Sequence, residues 1–159
     1  GKTKYHLKFF KYKEPVKIGG IPLKKIEEAD YSTPEKAYFS CASERTYEWS
    51  KASVYDIANC DEEDFSIYRQ WKNWHSGIDP FILLLHKVEI SQSGEGKKDS
   101  PDMFFVIKLL DHGNITAIPM KFDSGRWKFY ISRPQHIEIL SDYILEEIEK
   151  TGDKKKDGQ

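Results

Sequence analysis

The stretch MFFVIKLLDHGNITAIPMKFDSGRWKFYIS, residues 103–132, decides the fold. Phe105, Ile107 and Leu109 alternate with Lys108, Ile118, Met120 and Phe122 with Lys121, and Trp127, Phe129 and Ile131 with Lys128. A period of two turns the apolar members of each run to one side of a sheet. Asp111-His112-Gly113-Asn114 and Asp123-Ser124-Gly125 separate the runs, so the segment predicts a three-strand antiparallel meander with short turns.

Working outward, FILLLHKVEI at 81–90 predicts a fourth long strand, joined to the meander by the polar loop SQSGEGKKDSPD. Lys87 and Glu89 are expected to face water, which turns Ile82, Leu84, His86, Val88 and Ile90 inward. Upstream, Thr33 reads as an N-cap, with Pro34 at the first helical position and Glu35 near the positive end of the dipole. Tyr38, Cys41, Ala42, Trp49 and Ala52 then recur at helical spacing, predicting one helix to about Tyr55. A second helix is signalled from Asp61 through Phe65, Ile67, Tyr68, Trp71 and Trp74, closed by Ser76-Gly77 and Pro80. Ahead of both, YHLKFFKY at 5–12 reads as a strand, and VKI-GG-IPL at 16–23 as a tight hairpin, an N-terminal strand pair. Behind the meander, Arg133-Pro134 breaks the last strand. Ile137, Leu140, Ile144, Leu145 and Ile148 then form the stripe of a docking helix over 135–150, and residues 151–159 read as a polar tail. The expected class is α+β: helices packed on one face of a curved, cone-like antiparallel sheet, in a single domain over 1–150 with its core at 32–132.

Two stretches carry a family resemblance. STPEKAYFSCASERTYEWSKASVYD is similar to the opening helix of the nuclear-transport-factor-2-like superfamily, which includes the SnoaL-like proteins and the ketosteroid isomerases. IPMKFDSGRWKFYIS is similar to the hairpin that closes their sheet. The resemblance covers about residues 32–132 and implies a cone with a pocket at its open end. The added strands at 1–30 and the helix at 135–150 depart from the family pattern, and either is placed to cap that opening.

Composition bounds the function. The chain has 159 residues, of which 22 are aromatic and 32% charged, a globular balance that needs no disulfide or metal to hold a core. No apolar run approaches the length of a membrane-spanning helix. The net charge of −1 argues against nucleic acid as the main partner. That sum hides an asymmetry: residues 1–25 carry eight Lys against one Glu, a net of +7, and residues 26–75 a net of −6. The plainer reading lays a basic strand over acidic helices or leaves both as solvated faces; the sharper one is a basic patch for an anionic partner. Cys41 inside the predicted helix and Cys60 past its end lie too far apart for a disulfide and read as small packing residues. The first residue is Gly rather than Met, from which export out of a bacterial cell is the expectation.

If the sheet is a cone, His86 is the only ionisable side chain on its apolar inner face. A buried His is able to act as acid or base near neutral pH; the plainer reading is a core His satisfied by one hydrogen bond. The family's isomerases use a carboxylate in the cone, and no Asp or Glu falls on the inward positions. Asp56, Asp79 and Asp111 all sit at element ends, where no apolar pocket raises a pKa. Trp71, Trp74 and His75 form the densest aromatic cluster, placed to stack on a flat ligand or simply to pack a helix. No Gly-rich phosphate loop, catalytic Ser-His-Asp order or metal-spaced His/Cys set is present, so no cofactor is expected. The first expectation is thus a non-catalytic domain binding a small apolar or aromatic ligand, or a protein partner. His86, Trp74, Tyr38, Trp49, Phe105, Met120 and Trp127 are the ligand candidates. The alternative is an isomerase- or dehydratase-like enzyme with His86 as base and Tyr38 or Tyr55 as hydrogen-bond donor. A third is an interaction domain whose N-terminal strands or C-terminal helix form a homodimer interface.

Overall fold

The computed structural model describes residues 3–20, 22–44, 46–55, 63, 78–109 and 113–157. Among them six strands and three α-helices build an α+β fold. The strands are β1 (Lys4–Gly20), β2 (Val54–Tyr55), β3 (Ile78–Ser93), β4 (Met103–Leu109), β5 (Ile115–Asp123) and β6 (Arg126–Tyr130). They form one unclosed sheet in the order β1-β3-β4-β5-β6-β2, antiparallel except for the short parallel pair β2–β6. The helices are α1 (Pro34–Ala42), α2 (Tyr47–Ser53) and α3 (Gln135–Asp157).

The meander forms as its alternation predicts. Its β5–β6 turn places Ser124 at φ 53° and Gly125 at φ 79°, the two positive values of a hairpin turn that follows the sheet's twist. At the centre, Met103, Phe104, Phe105, Val106 and Ile107 are all at most 2% exposed, so β4 is covered on both faces. Phe105 and Ile107 pack with Leu84, Met120, Ala37 and Tyr31 on the α1 side. Phe104 and Val106 pack with Val88, Ala117, Tyr130 and the α3 residues Ile137, Leu140 and Ile144 on the other. The described residues therefore form three layers, with α1 and the C-terminal helix on opposite faces of the sheet, not both on one.

Three further expectations change. The single opening helix is two. Thr33 caps α1 as expected, its hydroxyl accepting from the Lys36 backbone N–H at 3.2 Å. The helix stops at Ala42 because Ser43 Oγ donates back to the Phe39 carbonyl and Thr46 caps a new start, accepting from Trp49 N–H at 3.1 Å. The N-terminal strand pair is one strand: Val16, Lys17 and Ile18 pair with Leu84, Leu83 and Ile82 of β3 instead of turning back at Gly19-Gly20. Pro22 lacks the N–H that a return strand needs, whereas the 16-residue β3 offers a full ladder. The C-terminal helix also continues to Asp157, through much of the expected tail. Apart from Glu63, the predicted helix over 61–74 lies outside the described residues, as do His75, Asp56, Cys60 and Asp111. No helix of the described residues is long and apolar enough to cross a membrane.

Candidate functional site

The residues expected to line a pocket fall into three places. Tyr38, Phe105, Met120 and Trp127 share the α1 side of the sheet, where Tyr38 meets Phe105 edge-on at 5.9 Å between ring centres. Phe105 and Met120 are fully buried there. Burial, with Cys41 nearby, pushes the Tyr38 phenol upward, which keeps its hydroxyl protonated. Trp49 of α2 is 2% exposed, and its indole N–H is without a hydrogen-bond acceptor among the described residues. Trp74 lies outside the described residues.

His86 is on the opposite face. A bulge in β3 sets Leu84 against Ile107 but His86 against Val106, so Leu85 is an extra residue and the alternation changes phase across it. Ile82 and Leu84 pack into the α1-side core, and Val88 and Ile90 into the α3-side core. His86 therefore stands across the sheet from Tyr38. Tyr55 shares its face, but four strand positions away, about 19 Å at the usual interstrand spacing. The sheet thus lies between His86 and Tyr38, and three strands lie between the strands of His86 and Tyr55.

The same bulge turns Lys87 away from water and toward the N-terminus of α1. There Glu35 accepts from the Tyr12 hydroxyl at 2.8 Å, and the Lys87 ammonium stands 3.4 Å from the same carboxylate oxygen. Burial works against ionisation of Glu35. Its own backbone N–H, the Tyr12 hydroxyl and Lys87 outweigh that and hold the carboxyl below its ordinary value. Burial first, and then the bond and charge of Glu35, push the Tyr12 phenol well up. The trio fastens β1, α1 and β3 to one another.

A second polar cluster lies on the α3 side. Tyr55 and Tyr130 stack with ring centres 5.2 Å apart, and both hydroxyls donate to Asp99, at 3.1 and 3.2 Å to Oδ2. Lys121 adds an ion pair to the other oxygen at 3.3 Å and donates to the Ser100 carbonyl at 2.8 Å. His136 Nε2 lies 2.9 Å from the Asp99 carbonyl. The amide of Gln92 clasps the same loop through Lys98 and Ser100. Chemically this is a carboxylate already held by its donors, and it clamps the β3–β4 loop to β2, β5, β6 and α3. None of its members is marked in sequence, because they meet only through pairing between distant strands. Among the described residues no group of His, Cys, Asp and Glu is arranged to hold a metal ion.

A further unusual exposed surface is β1. Among the described residues it is an edge strand of the sheet, paired with β3 alone. Lys4, Lys8, Lys11, Lys13 and Lys17 are exposed along it. Phe9 and Phe10, on opposite faces of the strand, are 41% and 38% exposed. The Lys8 ammonium rests 5.2 Å from the centre of the Phe10 ring, and the carboxylate-bearing Glu89 is its partner position on β3. Compared with known proteins, the chain matches no family model, no curated protein and no solved structure.

Proposed function

We propose that the chain is a non-catalytic binding domain of cone-fold type, related to the nuclear-transport-factor-2-like superfamily, that holds a protein partner along β1. The α1–α2 pair laid on an antiparallel meander supports the fold relationship. Phe105 and Met120, two of the residues a small ligand would touch, have no exposed surface, which favours a protein partner.

The observation that carries the reading is the 17-residue edge strand β1, exposing lysines on either side of two half-exposed phenylalanines. An edge rich in Lys repels another edge of its own kind, which protects against sheet-to-sheet aggregation. The same charges attract an acidic surface, each close pair contributing about 0.2–1 kcal/mol. The phenylalanines add apolar area to bury. The partner surface is therefore acidic with apolar side chains among its carboxylates.

Fluorescence anisotropy with a labelled peptide of alternating Glu and Val tests this. Binding at low salt, weakened at high salt and in Lys8→Glu/Lys13→Glu, is expected. Equal binding of a Lys-Val peptide, or no binding of the acidic one, would sink the reading.

A further inference from the structure

The outward side of α3 has the chemistry that β1 calls for. Ile139 and Tyr143, one helical turn apart, are 61% and 49% exposed. Glu138, Asp142, Glu146 and Glu149 are exposed around them. The inward residues Ile137, Leu140 and Ile144 are in the core, so this acidic, apolar-centred stripe points away from the sheet. The two surfaces also agree in size. Lys8 to Lys13 spans about 17 Å of extended strand with Phe9 and Phe10 between. Glu138 to Glu149 spans about 17 Å of helix with Ile139 and Tyr143 between. Phe9 and Phe10 flank the edge of β1 from its two faces, half-exposed to whatever lies along it.

We infer that the partner of β1 is a second copy of this chain, docked through the outward stripe of its α3. This rests on the reading of β1 as the docking edge and names what docks there. The two patches differ, so the contact is heterologous. It closes as a symmetric pair if two such contacts form together, and otherwise builds a ring or an open chain.

Light scattering on the wild-type chain across a concentration series is the test. At low salt the mass rises above that of one chain, and at high salt it returns to it. Lys8→Glu/Lys13→Glu and Asp142→Lys/Glu146→Lys each weaken self-association about tenfold or more, because each reversal turns two attractions into repulsions. Mixing the two variants restores association, since acidic β1 then meets basic α3 and basic β1 meets acidic α3. A loss of fold in either variant does not produce that recovery. Ile139→Ser, at an exposed position, weakens association without changing the charge. A wild-type chain that stays monomeric at low salt overturns the second-copy inference, as does failure of the mixture to recover. If the Glu-Val peptide still binds in that case, the reading of β1 stands with a different partner. If it does not, both fall.

Discussion

Glu35 shows how much one side chain does here. It was legible in sequence only as a first-turn acid that suits the helix dipole. In the structure it also accepts from Tyr12 and faces Lys87, both less than half exposed. Its lowered pKa sets the sign of a pH effect. The stabilisation is present above its ordinary value of 4.5 and is lost as pH falls through the lower folded value. Glu35→Gln is expected to cost about 1–2 kcal/mol at neutral pH, because Lys87 loses its charged partner. Urea unfolding of both proteins should show that gap closing as acid protonates the wild-type carboxyl. A gap that persists in acid would show that Glu35 acts through packing instead. Lys87 itself was misplaced by alternation, since a bulge residue carries no distinctive side chain: Leu85 is one of a run of leucines.

Among the elements, starts were more legible than stops. Thr33 announced α1 by its place before Pro-Glu, but the break after Ala42 depends on which of several hydroxyls wins. Ser43 bonds backward to Phe39 while Thr46 bonds forward to Trp49, and the helix divides between them. Thr46→Ala should therefore cost about 1 kcal/mol and loosen α2 rather than α1. Hydrogen exchange at the Trp49 and Ser50 amides is the direct measurement, and unchanged protection there would assign the break to some other cause. The strand pair expected around Gly19-Gly20 failed for a related reason. Glycines permit a turn, but the longer ladder offered by β3 decided the pairing.

For the whole molecule, the meander gave the class and hid the layering. Alternating lysines implied a wet outer face, yet Lys121 and Lys128 are only partly exposed, each beside a carboxylate at the margin of the α3 layer. The continuous run Met103–Ile107 was the available signal that both faces are dry. Phe104→Ala and Phe105→Ala are each expected to cost about 3–5 kcal/mol, since each empties a different core. A sheet covered on one face would make one of the two cheap, and chemical denaturation of the pair distinguishes the cases. The clamp at Asp99 was invisible for the same topological reason, because its residues come from positions 55 to 136.

The extra residue at Leu85 works like a change of parity. Before it, even-numbered side chains of β3 serve one core; after it, even-numbered side chains serve the other. One strand is thereby shared between two cores on opposite faces of the sheet. Sequence drift in either half of β3 is answerable to a different set of neighbours, so the two ends of a single strand are free to evolve as though they belonged to separate elements.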